Sequence, residues 1–401
     1  MAKIAKWKLL AIIILLLMAV FPTLPSIADR IAERRITQRG MLPGASRRRF
    51  QPGSEREIVA FVAPQGEAGG DFTDIQEAVN FANNSGGGAI FIKSGTYKIS
   101  SHITLYSNIE LIGQDNDTTI LDFGGASIRL SAPGSSASHL TNIHISNIQL
   151  KDSIYEYGSI DMVYTDNYSI NNCKFVNSQT TSGTDIYIEQ ATLGEVNNNY
   201  SLASRGFIVT NTVTGLILDK NTISDYTSAS FGAAIRIDAN TNVIISNNTI
   251  TSDNASAGSG IWLINSDGTK VNKNSIALSG SSTDLTIFSQ GADNCLITNN
   301  TLSSANSDGI ILGYDTDSSD NNIIMGNNIT AAKTAGDFAA IGVNLGDRNI
   351  IIGNYVVSGD YGVGIGGGVD RTTVIGNYLL GATTPLNDGG ANTNADHNVV
   401  A

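Results

Sequence analysis

Cysteine and proline are both scarce, with two and seven residues in a chain of 401. Cys173 and Cys295 are too few for a disulfide framework, and neither has metal-ligand spacing to another thiol or imidazole. Charge is thin as well, at 15% of residues, and unevenly spread. Residues 1–56 carry 11 Lys/Arg against 3 Asp/Glu, which leaves 13 against 33, or 13 − 33 = −20, for the remainder. So acidic a body repels phosphate backbones, which argues against nucleic acid as a partner. Sustained amphipathic helical patterns are also few. What is abundant is glycine, 42 residues, with Asn, Ser and Thr throughout, a composition that suits short strands separated by many turns.

The chain opens with Lys3, Lys6 and Lys8, an apolar run from Leu9 to Phe21, and small residues at Ser26-Ile27-Ala28. That order reads as a signal peptide over residues 1–28. The rival reading is a retained N-terminal anchor, because the run extends toward the ~20 residues that a membrane span needs. Either way, contact with a membrane is expected only through this segment, and the body is expected to be extracytoplasmic, secreted or attached to the cell surface. Residues 29–56 are rich in Arg, Gly and Pro without an apolar period, and read as a flexible linker; attraction to anionic lipid is the functional alternative.

From residue 57 to the end the sequence is repetitive. An element apolar-x-x-Asn-x-apolar recurs at Asn221, Asn248, Asn274, Asn300, Asn327, Asn354 and Asn377, with a weaker copy at Asn398. Degenerate copies centre on Ile148, Cys173 and Asn199. The centres lie 21 to 27 residues apart, enough for three short strands and their turns. Stacked in register, each Asn amide donates to one neighbour and accepts from the other, satisfying polar groups that are costly to bury. This predicts an all-β, single-stranded right-handed parallel β-helix, a solenoid occupying residues 57–401. In this register the two cysteines lie five coils, roughly 24 Å, apart and stay free. A helix over residues 74–84, with Ile75, Ala78, Val79 and Ala82 at helical spacing, is expected to cap the first coil.

A second strand recurs as apolar triplets, including Phe207-Ile208-Val209, Ile235-Arg236-Ile237, Ile261-Trp262-Leu263, Leu285-Thr286-Ile287, Ile341-Gly342-Val343 and Val363-Gly364-Ile365. Period-two alternation turns the middle residue of each outward. One outer column then runs Asp161, Tyr187, Ile208, Arg236, Trp262, Thr286 and Ile311, and a neighbouring one Glu189, Thr210, Asp238, Ile264 and Phe288. Aromatic planes suit the CH-rich faces of sugar rings, and charged groups suit their hydroxyls. Asp161, Tyr187, Trp262 and Phe288 are therefore candidate glycan-binding residues. Glu189 and Asp238, two coils or roughly 9 to 10 Å apart, with Arg236 between them, are the catalytic candidates, near the separation of an inverting carboxylate pair. The structural alternative is that Arg236 and Asp238 form surface ion pairs with Glu189 while the aromatics pack under loops.

The stretches Asp71-Phe72-Thr73-Asp74-Ile75-Gln76-Glu77-Ala78, Gly86-Gly87-Gly88-Ala89-Ile90-Phe91-Ile92, Gly95-Thr96-Tyr97 and Leu111-Ile112-Gly113, together with the Asn-centred coils, resemble the pectate lyase-like superfamily of right-handed parallel β-helices. The resemblance implies extracytoplasmic action on, or binding to, polysaccharide, as in lyases, polygalacturonases, epimerases, tailspike depolymerases and adhesins. The Asn-Thr-Asp, Asp-Asp, Gly-His-Gly and Arg-x-Lys motifs of the polygalacturonases and the Asp-Pro-His of the alginate epimerases are missing. Two readings remain open. One is a polysaccharide lyase or glycoside hydrolase working at Glu189, Arg236 and Asp238; the other is a non-catalytic surface, adhesin or virion rod that holds a surface glycan. Asp315, Asp317 and Asp320 offer oxygen ligands at loop spacing for Ca²⁺, without the Gly and closing Glu of an EF-hand, so a solvated turn competes with a metal site. Oligomeric state stays open.

Overall fold

The structure is a computed structural model that describes residues 56–400 apart from residues 156, 177–183, 203–205, 228–231, 255–256, 280–284, 305–307, 315 and 332–338. The chain divides into two units, Met1–Arg48 and Arg49–Ala401. The expected leader and nearly all of the linker lie outside the described residues, as does Asp315. Among the described residues no helix is long and apolar enough to cross a membrane.

The second unit is a right-handed parallel β-helix. Its strands fall into three sheets, here A, B and C, of 14, 13 and 12 strands, and each strand pairs in parallel with its counterpart in the next coil. One coil runs from Leu140–Ser146 in sheet A through Gln149–Lys151 in sheet B to Ile160–Val163 in sheet C, then on to Thr165–Asn171 in sheet A. Inward residues form one continuous apolar column, with Ile143, Ile145, Leu150, Ile160, Met162, Ile170 and Phe175 all buried. Parallel pairing without edges inside the stack, and strands whose inner face is Ile, Leu and Val, fit the composition.

The bend between sheets A and B carries the asparagine stack expected from the repeat. Asn221 Nδ2 donates to Asn248 Oδ1 at 2.9 Å, Asn248 to Asn274 at 3.0 Å, and Asn274 to Asn300 at 3.0 Å. The series begins at Asn199 and ends at Asn398. Each Oδ1 also accepts a backbone N–H from the coil before, as Asn274 does from Asn248 N at 3.0 Å. The remaining amide proton goes to a main-chain carbonyl, Asn274 Nδ2 to Ile245 O at 2.9 Å. No amide group of a ladder Asn is thus left dry and unpaired. The sharp bend is made by the preceding residue, which has positive φ: Asn247, Lys273, Asn299 and Gly326 at 54°, 56°, 55° and 66°. Asn and Gly tolerate that conformation best. At the start of the series Ile148 and Cys173 replace Asn with apolar packing, as expected, and Cys173 N still donates to Asn199 Oδ1 at 2.8 Å. Both cysteines are free and buried, and burial pushes each thiol up to about 12.

Helix Ile75–Asn84 lies over the first coil between the strands Ile58–Val62 and Gly88–Ile92. Asp74 caps it, its Oδ1 accepting from Glu77 N at 2.9 Å. Its buried residues are Ile75, Ala78, Val79 and Ala82, the four read from spacing. A helix is the economical lid here, since it satisfies its own backbone while covering an otherwise open apolar end.

Candidate functional site

Sheet C holds the candidate residues, and its register corrects two coils of the expected columns. The first outer column is Asp161, Tyr187, Val209, Arg236, Trp262, Phe288, Ile311, Gly342 and Gly364. Val209 thus replaces Ile208, and Phe288 replaces Thr286. The second column is Glu189, Asn211, Asp238, Ile264 and Gln290, so Asn211 replaces Thr210, and Phe288 leaves this column for the first. The slip has a physical cause. At both coils apolar residues occupy inward and outward positions in succession, so alternation does not choose between the two registers. Thr286, read as outward, is fully buried and donates to Gly309 O at 2.6 Å.

The outer face carries two aromatic clusters. Toward the N-terminal end, Tyr155, Tyr157 and Tyr187 pack in series at 5.9 and 5.3 Å between ring centroids. The Arg129 guanidinium lies 3.7 Å over the Tyr155 ring and its Nε is 2.9 Å from Asp161 Oδ2. Tyr187 donates from its hydroxyl to Glu189 at 3.2 Å. Further along, Arg236 lies 5.0 Å over Trp262, which stacks on Phe288 at 5.5 Å and 25°; Tyr314 meets Phe288 edge-on. Arg236 pairs with Asp238 at 3.1 Å, so of the expected surface ion pairs this one forms, while Glu189 is held by Tyr187. Arg129, Tyr155, Tyr157 and Tyr314 were not singled out from sequence. They stand on or beside loops, where no repeat frame says which way a side chain points.

Electrostatically the N-terminal cluster is the unusual one. Burial pushes the Asp161 carboxyl up to about 6; the Arg129 guanidinium opposes this and the Glu189 carboxylate adds to it. One of its oxygens, Oδ1, is buried without a hydrogen-bond partner among the described residues, as is the indole Nε1 of Trp262. Asp161 pairs with Tyr187 in the adjacent strand and Glu189 is two residues on, which puts the two carboxylate-bearing backbones roughly 8 Å apart from strand spacing and rise. Burial and both neighbouring carboxylates also push the Tyr187 phenol up to about 12.

Of the expected calcium ligands, Asp317 and Asp320 are engaged elsewhere. Asp317 accepts from Gln290 Nε2 at 2.8 Å, and Asp320 accepts from Asp347 N at 2.8 Å while Arg348 lies 3.6 Å away. Asp320 is one rung of a second stack, in which Asp293 N donates to Asp267, Asp320 N to Asp293, Asp347 N to Asp320 and Asp370 N to Asp347. These carboxylates close a bend, which is a structural use of the residue type. Among the described residues no group of three His, Cys, Asp or Glu could hold a metal ion.

Residues 206–379 match the family model described as a right handed beta helix region. No curated protein sequence matches the chain. Several solved structures share the fold. The DFA-IIIase of Arthrobacter chlorophenolicus A6, solved without its lid in complex with GF2, is 13% identical with a TM-score of 0.63, over 84% of this chain and 99% of that one. PfbA, a surface adhesin of Streptococcus pneumoniae, is 12% identical with a TM-score of 0.51, over 81% and 87%. A tailspike protein double mutant of the E. coli bacteriophage HK620, in complex with a pentasaccharide, is 17% identical with a TM-score of 0.53, over 82% and 62%. At these identities the likeness speaks for the fold alone. With the asparagine stack, the capping helix and the three parallel sheets, the chain has the right-handed parallel β-helix fold.

Proposed function

We propose that this protein is an exported β-helix that binds polysaccharide along the outer face of sheet C and processes it beside Asp161 and Glu189. The observation that carries the reading is a cluster of chemically distinct carboxyls on one face. Asp161 is buried and holds its proton to about pH 6, whereas Glu189 sits at the rim with a tyrosine hydroxyl on it. A carboxyl that burial keeps protonated, with a second carboxyl on the same face, is what acid–base cleavage of a glycosidic bond needs. Tyr157, 43% exposed, and half-buried Trp262 supply planes for sugar rings on either side. The pentasaccharide complex of a tailspike protein of similar fold supports such a partner. Relative to the sequence reading, the acid–base pair moves from Glu189/Asp238 to Asp161/Glu189, because Asp161 is buried with one oxygen lacking a hydrogen-bond partner among the described residues, whereas Asp238 is half-buried. Arg236 and Asp238 become binding groups beside Trp262. The leader over residues 1–28, the linker over 29–56 and an extracytoplasmic location belong to the same proposal.

The second reading, a non-catalytic glycan-binding rod, is favoured by one observation: both arginines on the face already pair with aspartates. One experiment separates the two. The protein is incubated with a panel of neutral and acidic polysaccharides while reducing ends and the absorbance of unsaturated products are followed. Hydrolysis is expected, falling at least 100-fold, within the usual range for acid–base groups, in Asp161→Asn and in Glu189→Gln. Cleavage that survives both replacements contradicts the assignment. Polymers bound but left intact by the wild type identify the rod.

A further inference from the structure

Strands buried on one face alternate apolar and polar residues, whereas parallel strands buried on both faces read as unbroken apolar runs. Sheet A of this solenoid contains both kinds. Toward the N-terminal end its strands include Ser169-Ile170-Asn171 and Glu195-Val196-Asn197, with the middle residue in the core and polar groups to either side. Further along they read Ile323-Ile324-Met325 and Ile350-Ile351-Ile352. Ile324 and Ile351 are the inward, fully buried residues of these strands. Their neighbours face outward, so the sequence is that of a sheet covered on its second side as well.

The register gathers these outward residues into one patch. Leu296, Ile323 and Ile350 follow one another in one column, and Met325, Ile352 and Ile375 in the next. Around the bend to sheet B the patch continues with the stacked Tyr355 and Tyr378, and the bend residues Gly353 and Gly376 place no side chain between. None of these outward residues is charged, on a body whose balance is 13 − 33 = −20. Met325, Ile350, Tyr355 and Tyr378 are 43%, 36%, 45% and 40% exposed. At ~200 Å² for a large side chain, those four alone present roughly 300 Å². The half-buried Leu296, Ile323, Ile352 and Ile375 bring the patch to roughly 500 Å², at the size that marks an interaction surface.

We infer that this patch is the interface of a homodimer, with sheet A of one copy packed on sheet A of the other. Three features select a second copy as the occupant. A sheet face of aliphatic side chains packs on another such face, as the two inner faces of a β-sandwich do. The rim beside Ile350 and Thr373 carries both signs, Arg348 with Asp320 at 3.6 Å and Arg371 with Asp370 at 2.8 Å, so the rim of one copy can answer that of another. The area also suffices: two patches and their rims bury roughly 1,000–1,200 Å², at the low end of specific interfaces, which fits a reversible dimer. Residues 29–56 are Arg-rich and lack an apolar period, so they do not match an uncharged face. An anionic bilayer would repel the acidic body.

The test is sedimentation equilibrium of the full chain from about 0.1 to 100 μM, at low salt and at about 0.5 M. A monomer–dimer equilibrium in the micromolar range is expected. Higher salt should tighten it, because screening relieves the repulsion between two acidic bodies while the apolar contact is untouched. Ile350→Ser should weaken the dimer at least 10-fold and Ile350→Glu further, with circular dichroism and the thermal midpoint unchanged. Thr249→Glu, which adds the same charge to the polar part of sheet B, should dimerise as the wild type does. A chain that stays monomeric throughout overturns the inference. So does association that survives Ile350→Glu, which would place the contact elsewhere, the N-terminal apolar run included. Equal weakening by Thr249→Glu, or a dimer that dissociates as salt rises, overturns it as well.

Discussion

Asp161 shows how one residue couples site and fold. Its carboxyl is paired with Arg129, yet burial outweighs the guanidinium and raises it to about 6 from an ordinary value of 3.8. The folded state therefore holds this proton more tightly than the unfolded chain does. The resulting stabilisation is complete below about pH 4 and is lost as pH rises through 6. At 1.36 kcal/mol per unit, the loss attributable to this group is roughly 2–3 kcal/mol at most. Asp161→Asn has no proton to lose, so its urea-unfolding stability should fall less between pH 4 and pH 7 than that of the wild type. Parallel pH dependences would mean that the carboxyl is not held in its protonated form by the fold.

At the scale of an element, the asparagine stack is the part most open to a single truncation. Asn274→Ala leaves Asn248 N–H and one Asn248 amide proton without their acceptor and removes a side-chain donor from Ile245 C=O in a buried bend. At 1–3 kcal/mol for each unsatisfied group, a loss of about 3 kcal/mol or more is expected. The same truncation at exposed Thr249 should cost under ~0.5 kcal/mol. Chemical denaturation of both variants checks the contrast, and equal effects would show that the stack is incidental. This element was legible before any coordinates, because a fixed frame of apolar residues around Asn repeats eight times and the preceding Asn, Gly or Lys marks the bend. The columns of sheet C were legible where a polar or aromatic residue stood between apolar ones, as at Arg236 and Trp262. At Phe207-Ile208-Val209 and Leu285-Thr286-Ile287 the inward choice depends on which residue pairs with Ile235 and Ile261 in the adjacent coil, and that is a property of register across strands. Gly342 and Gly364 did read as outward.

Across the whole molecule, the three sheets differ in what they show to solvent. Sheet C concentrates the aromatic clusters and the buried Asp161 along one line. Sheet B carries its own exposed pair, Tyr355 and Tyr378, stacked at 5.5 Å and 7°. An acidic body with both face arginines already ion-paired should bind neutral polymers in preference to polyuronates at low salt, the difference shrinking as salt screens the repulsion. The same contrast between faces allows a direct test. Equilibrium binding of the best polysaccharide from the panel is measured for the wild type, for Tyr187→Ala and Trp262→Ala on sheet C, and for Tyr355→Ala and Tyr378→Ala on sheet B. Each sheet C variant should lose at least 10-fold in affinity, in keeping with about 1.4 kcal/mol or more for a buried aromatic anchor, while the sheet B variants bind as the wild type does. Loss on sheet B with sheet C indifferent, or no loss on either, would contradict the claim that sheet C is where this solenoid meets its glycan.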